Sequence, residues 1–73
     1  MQISYVVRKD RETREVDVIA RFVDGVPEVY RDGKWKVNGF IYSMQQDGKL
    51  EYVSEAEAKR LIAERNTRQL QAA

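Results

Sequence analysis

The dipeptide Asp32-Gly33 constrains the fold of this chain more than any other feature of its sequence. Between two apolar-containing runs, these residue types form a two-residue turn of the primed type, because both tolerate a positive φ. Such a turn also determines which residues face each other across the hairpin. The expected pairs are Arg31–Lys34, Tyr30–Trp35 and Val29–Lys36. We therefore predict an antiparallel hairpin whose aromatic pair, Tyr30 and Trp35, anchors it to the core.

Alternation of apolar and polar residues predicts the two hairpin strands and further strands on both sides of them. The strands are expected at 2–8, 14–23, 28–31, 34–43 and 50–53. Even-numbered residues from Val16 to Phe22 are apolar, so this strand should have one buried face and one wet face, with Ile19 on the wet side. A bulge at Asn38-Gly39 would reconcile the two halves of the fourth strand, and Asp24–Pro27 and Asp47-Gly48 are predicted turns.

A helix is predicted to begin at Ser54, because Ser54 and Glu57 have the spacing of a capping box. Ala58, Leu61 and Ile62 form an apolar stripe at helical spacing. Arg65, Asn66, Arg68 and Gln69 interrupt the stripe, so we expect the helix to run from 54 to about 66. The chain should then form one compact domain over 1–66 with a mobile tail over 67–73. The predicted fold is α+β, an antiparallel meander of about four strands followed by one C-terminal helix. The predicted core contains Ile3, Tyr5, Val7, Val16, Val18, Ala20, Phe22, Tyr30, Trp35, Val37, Phe40, Ile41, Leu50, Leu61 and Ile62.

Composition argues against catalysis and for binding. The 73 residues include no histidine and no cysteine, so the commonest general base, the commonest transition-metal ligand and every thiolate are missing. The four glycines are scattered over turns and match no phosphate-binding motif. We therefore expect a protein that is not an enzyme, holds no metal or cofactor, and works by contact with another macromolecule.

Charge and hydropathy point to a cytoplasmic location. The net charge of +1 gives no general attraction to nucleic acid or membrane. Apolar runs stay well short of the ~20 residues needed to cross a bilayer, and the N-terminus has no pattern of a signal peptide. Absence of cysteine fits a reducing cytoplasm. We expect no membrane partner.

The first predicted strand and the loop after it are the leading candidate for a docking surface. Because the strand begins at the N-terminus, it could lie at a sheet edge and accept a partner's strand. The candidate residues are Tyr5, Val7, Arg8, Lys9, Arg11 and Arg14. Val7→Asp or a charge reversal at Arg11 should then abolish binding and leave the fold intact. The alternative interpretation is an ordinary charged loop, since Asp10, Glu12 and Glu15 neutralise its cations.

A second candidate surface would contact nucleic acid or an acidic partner. Lys34 and Lys36 flank Trp35, and single-strand binders combine cations with aromatic residues in this way. Arg65 and Arg68 lie near the end of the predicted helix. The alternatives are that Trp35 belongs to the core and that the helix end is a solvated one whose cations complement its dipole.

Two resemblances follow from these segments. Asp32–Trp35, Phe40–Met44, Asp47-Gly48 and Ser54–Ala58 together resemble a pattern in small uncharacterised bacterial and phage proteins. In length and character the whole chain is similar to the small phage-encoded inhibitors of bacterial RNA polymerase that act as antiterminators. That similarity implies binding near the β′ N-terminus and the ω subunit, with displacement of σ, and it assigns no role to a single residue.

These observations lead to three hypotheses. The first is a protein-binding regulator of phage type, which binds host RNA polymerase in the host cytoplasm and alters transcription initiation or termination. The second is a small nucleic-acid-binding module. The third is a structural or virion-associated protein, which self-association would favour.

Overall fold

The computed structural model describes the backbone of residues 1–72 and the side chains of residues 1–68. Its elements in chain order are β1 (Ile3–Lys9), β2 (Val16–Val23), β3 (Val26–Arg31), β4 (Lys34–Val37), α1 (Phe40–Gln46), β5 (Glu51–Val53) and α2 (Glu55–Ala72). The strands form one antiparallel sheet in the order β4-β3-β2-β1-β5. The predicted α+β class is confirmed, with five strands in place of about four. Helix α1 was not predicted.

Both two-residue turns of the sheet use positive backbone φ angles. Asp32 and Gly33 have φ of 54° and 78°, and the three predicted hairpin pairs are all present. The rings of Tyr30 and Trp35 lie 5.3 Å apart and pack edge to face. The other turn needs only Asp24 and Gly25, so β3 starts two residues earlier than predicted, at Val26.

The segment after β4 is a helix, so the prediction of one strand from 34 to 43 is wrong. Strand β4 ends at Val37, and the Asn38 side-chain oxygen accepts the Phe40 N–H at 2.9 Å. This local bond satisfies a backbone donor at the start of α1, a common use of asparagine. Asn38-Gly39 therefore begins a helix and does not make a bulge.

The far end of α1 is closed by a turn that the sequence does predict. Gly48 has φ of 70°, and the Lys49 N–H donates to the Met44 carbonyl at 3.0 Å. Together with a bond from the Gly48 N–H to the Gln45 carbonyl, this is the pattern of a Schellman motif. It directs the chain back to the sheet, where β5 pairs with β1.

The two helices lie on opposite faces of the sheet, which we call the α1 face and the α2 face. On the α1 face, Ile41 packs against a buried cluster of Val6, Ala20 and Val29. On the α2 face, Leu61 and Ile62 pack against a second buried cluster of Val7, Ile19 and Tyr30. The prediction of a wet face on β2 is therefore wrong: Ile19 is 1% exposed.

An irregularity in the β1–β2 ladder distributes two apolar residues between these faces. The register shifts between Arg8 and Lys9, which pair with Val18 and Val16. Regular alternation would put both valines on the same face. Because of the shift, Val18 packs in the cluster under α1 and Val16 in the cluster under α2.

Three residues assigned to the core from the sequence are exposed. Ile3 lies at the start of β1, outside the cluster that α2 covers. Val37 ends the edge strand β4. Phe40 opens α1, whose buried residue is its neighbour Ile41. Their exposed fractions are 38%, 69% and 75%. The core instead includes Val6, Ile19 and Val29.

Helix α2 begins as predicted and ends later than predicted. The Ser54 hydroxyl accepts the Glu57 N–H at 3.1 Å, while the Glu57 carboxylate accepts hydrogen bonds from Arg60, which lower the pKa of Glu57. The helix continues to Ala72. The polar residues at which the helix was predicted to end instead make hydrogen bonds to the sheet. The Tyr30 hydroxyl donates to Asn66 at 3.3 Å, and Arg65 donates to the Val16 carbonyl at 3.4 Å.

The predicted mobility of 67–73 stays a prediction, and Ala73 lies outside the described residues. Over the part of the chain that the structure describes, neither helix combines the length and apolar character that a bilayer crossing requires.

Candidate partner-binding surfaces

Strand β1 is an interior strand, so the prediction that it offers a free edge is wrong. It pairs with β2 on one side and with β5 on the other. The sequence did not reveal that β5 returns to this position. Val7 is fully buried, at 0% exposure, and the half-buried ring of Tyr5 lies 6.2 Å from that of Trp35. A partner's strand has no free edge to join at β1.

Two of the four cations of this first candidate surface bind to acids of the same chain. Arg8 makes a bidentate ion pair with Asp17: its Nε and Nη2 atoms donate to the two carboxylate oxygens at 3.0 and 2.8 Å. This contact raises the pKa of Arg8. Lys9 lies 3.2 Å from Glu51. In the sheet register Arg8 is on the α1 face, whereas Val7 is on the α2 face, so the six predicted residues do not form one surface.

The loop between β1 and β2 has its own internal structure. The Asp10 carboxylate accepts the backbone N–H groups of Thr13 and Glu12, at 3.0 and 2.8 Å, and these bonds lower the pKa of Asp10. Arg11 and Arg14 remain exposed. They line a surface groove that mixes cations and acids: Arg8, Lys9, Asp10, Arg11, Arg14, Asp17, Asp47, Gly48, Lys49 and Glu51. This near balance of charge favours the interpretation as a charged loop.

The second candidate surface is divided by the sheet. Lys34 and Lys36 are exposed and lie on the α1 face, since Lys36 pairs with Val29. Arg65 belongs to α2 on the other face and donates to the Val16 carbonyl. Arg68 is exposed on the same helix. One ligand would have to reach around the sheet to contact all four cations.

Trp35 packs against the sheet and is not a free stacking platform. Its ring lies on the α2 face against Tyr30 and Tyr5. The Arg21 guanidinium carbon is 4.1 Å from the centroid of its ring, a cation–π contact. Arg21 in turn lies 2.7 Å from Glu28. The structure thus places Trp35 with the core residues, as the alternative interpretation held.

The free edge on this side of the sheet belongs to β4. In a hairpin with a two-residue turn, alternate residues bond inward, so Lys34 and Lys36 bond to β3, and the Asn38 N–H continues the pattern at 3.1 Å from the Pro27 carbonyl. The backbone N–H and C=O groups of Trp35 and Val37 therefore point away from β3. Among the described residues no strand pairs with this outer edge.

One side of β4 is cationic. Arg31 pairs with Lys34 across the hairpin, and Lys36 follows two residues later, so all three side chains project on the α1 face. Each is exposed, and none joins an ion pair with the described acids. Such pairing of like charges is unfavourable within the hairpin itself.

The side chains that β4 itself projects on the other face are apolar. Trp35 and Val37 project on the α2 face, where Trp35 continues the buried row of Val7, Ile19 and Tyr30. Val37 has a mostly exposed side chain and pairs with Glu28, whose carboxylate is bound by Arg21. The sequence analysis had placed Val37 in the core, and it did not single out Arg31. The two-residue turn already predicts which backbone groups of β4 point outward, because every second residue after the turn bonds to β3 and the residues between them do not.

Comparison with known proteins assigns no family, because no protein-family model, no curated protein and no solved structure matches the chain.

Proposed function

We propose that this protein is a non-catalytic binding module that takes up an extended segment of another protein at the outer edge of β4. The observation that supports this is the row of outward-facing backbone groups at Trp35 and Val37. Exposed edge strands are templates for the addition of a partner's strand, because unpaired N–H and C=O groups supply the hydrogen bonds.

The opposite edge of the sheet is a poorer site. Strand β5 has three residues, and α2 begins two residues after it, at Glu55. Its Glu51 is engaged by Lys9, and the Tyr52 hydroxyl accepts a bond from Gln45. By contrast, β4 has four residues, and their side chains make no hydrogen bond to the described part of the chain. We therefore place the binding site at β4.

Bacterial RNA polymerase is the first partner to test. The support for it is the similarity in length and character to small phage-encoded polymerase inhibitors. In this form of the proposal, the module binds the polymerase in the host cytoplasm, near its β′ and ω subunits, and alters transcription initiation or termination.

The experiment compares two substitutions at one position of the outer edge. In Val37→Pro the outward N–H is lost, and a proline is tolerated at an edge strand where that group faces solvent. The control, Val37→Ala, keeps the N–H and removes the two methyl groups, so it tests separately whether the valine side chain is needed for binding. Immobilised wild type and both variants are incubated with bacterial lysate and, separately, with purified polymerase.

Strand addition predicts that a partner held by the wild type and by Val37→Ala is lost with Val37→Pro. Far-UV circular dichroism confirms that each variant is folded. If Val37→Pro is folded and still holds every protein that the wild type holds, the binding site is elsewhere. If purified polymerase binds none of the three, the polymerase form of the proposal is wrong, whereas the β4 site stands on the lysate comparison.

Nucleic-acid binding is the second candidate function, and one observation favours it. Arg31, Lys34 and Lys36 form an exposed cationic patch on one face of the hairpin. Titration with single-stranded and duplex DNA at two salt concentrations tests it, because neutralising phosphates makes affinity fall steeply with salt. No binding at low salt would rule this function out.

A further inference from the structure

We infer that the segment added to β4 is acidic and alternates, with carboxylate side chains over the α1 face and apolar side chains over the α2 face. This inference rests on the proposed function, because it assigns a chemistry to the partner strand and presupposes that a strand binds there. The occupant is a segment of a different protein and not a second copy of this chain.

The charge of β4 supplies the first argument. A strand paired with β4 projects each side chain on the same face as the residue directly opposite. On the α1 face those opposite residues are Lys34 and Lys36, with Arg31 one strand further in. These cations have no acid among the described ion pairs. Carboxylates on the added strand would meet them, and would also relieve the like-charge pairing of Arg31 with Lys34.

The α2 face supplies the second argument. Here the added side chains lie next to Trp35, which ends the apolar row that includes Tyr30, and next to Val37, which pairs with Glu28. Val37 is 69% exposed without a partner. An apolar side chain beside it would remove this surface from water, whereas a carboxylate would lie against apolar side chains and on the same face as the Glu28 carboxylate. The partner strand therefore alternates in the same period as β4 itself.

A second copy is a poor occupant because its own β4 carries the same cations. Two copies of β4 would pair antiparallel about a twofold axis. If Trp35 or Lys36 lies on that axis, Lys36 faces either Lys34 or Lys36 of the copy. Like charges directly opposite each other are destabilising. The patch that attracts an acidic strand thus disfavours self-association through the same edge.

The test uses two peptides of about eight residues, a typical strand length, one alternating Glu and Val and the other alternating Lys and Val. Both have blocked ends and contain no tryptophan. Trp35 is the only tryptophan of the chain and lies in β4, so its fluorescence reports binding directly. We expect the Glu–Val peptide to bind at least about tenfold more tightly than the Lys–Val peptide, and to weaken as salt rises.

Two variants make the result specific. Val37→Pro should lose the Glu–Val peptide and Val37→Ala should retain it. The double substitution Lys34→Glu with Lys36→Glu changes exposed side chains only, so it should leave the fold intact and reverse the preference between the two peptides. That reversal does not depend on whether Val37→Pro folds.

The outcomes separate this inference from the proposed function. Equal binding of both peptides to the wild type, together with loss of lysate partners in Val37→Pro, would refute the acidic chemistry and leave strand addition in place. A dimer in analytical ultracentrifugation that Val37→Pro dissociates would show that a second copy occupies the edge and would overturn the inference. DNA binding that the double substitution abolishes, without peptide binding, would overturn it in favour of nucleic acid.

Discussion

Replacing Ile41 with alanine tests whether helix α1 buries this side chain against the sheet. Ile41 is 1% exposed and packs on Val6, Ala20 and Val29. Truncating a buried isoleucine to alanine costs about 2–5 kcal/mol, from lost transfer free energy and the cavity left behind. For 73 residues, a total stability of about 0.05–0.15 kcal/mol per residue is roughly 4–11 kcal/mol. The substitution should therefore remove a large share of the free energy of unfolding.

The neighbouring residue provides a matched control. Phe40 is 75% exposed at the start of α1, so Phe40→Ala should change stability by no more than about 0.5 kcal/mol. If the chain continued as a strand through 40–43, as the sequence predicted, Phe40 would be a core residue and its truncation would be costly. The pair of variants thus distinguishes the observed helix from the predicted strand.

Urea unfolding, followed by Trp35 fluorescence and circular dichroism, measures both changes. A loss of about 3 kcal/mol at an m value near 1.5 kcal/mol per molar lowers the midpoint by about 2 M. The reasoning is refuted if Phe40→Ala is the more destabilising change, or if Ile41→Ala unfolds within about 0.5 kcal/mol of the wild type.

Three further substitutions test other parts of the account. Val7→Asp should unfold the protein, because it buries a carboxylate without a partner at a cost of several kcal/mol. A native circular dichroism spectrum of this variant would contradict the burial of Val7. Asn38→Ala should cost about 1 kcal/mol in urea unfolding through the lost bond to the Phe40 N–H, and an unchanged midpoint would show that the bond is unimportant. The lowered pKa of Asp10 stabilises the fold above the ordinary value of 3.8, and this contribution is lost as the pH falls through the lower folded value. Thermal midpoints of wild type and Asp10→Asn should therefore differ at pH 7 and converge in acid, whereas a constant difference would exclude the linkage.

The local part of the fold was predictable from the sequence. The hairpin register follows from the parity of a two-residue turn, which is why all three pairs around Asp32-Gly33 were correct. The Ser54 cap likewise depends on a bond to a residue three positions later, and the stripe of Ala58, Leu61 and Ile62 follows from the helical repeat. Such features need no knowledge of the rest of the molecule.

The two-sided core was not predictable in the same way. Alternation in β2 predicted one wet face, but α1 and α2 cover opposite faces, so Ile19 and Ala20 are both buried. Phe40 and Ile41 have the residue types of a strand, and only the Asn38 bond and the i,i+3 spacing of Ile41 and Met44 indicate a helix. Strand propensity was overridden by tertiary packing here.

The candidate site depended on the same long-range information. An N-terminal strand is an edge only if nothing later in the chain joins it, and β5 joins β1 through residues 51–53. That pairing moves the free edge from β1 to β4. The common face of the β4 cations and the outward direction of the Val37 groups follow from the hairpin register, but the sheet order is needed to show that no described strand covers this edge.

Hydrogen exchange of the free protein, measured by NMR for each amide, tests the central claim most directly. The Lys36 N–H should be protected, because Lys36 bonds inward to β3, and the Val37 N–H should exchange rapidly, because it faces solvent at the outer edge of β4. Equal protection of the Lys36 and Val37 amides in dilute solution would mean that the edge is already occupied and would contradict the account.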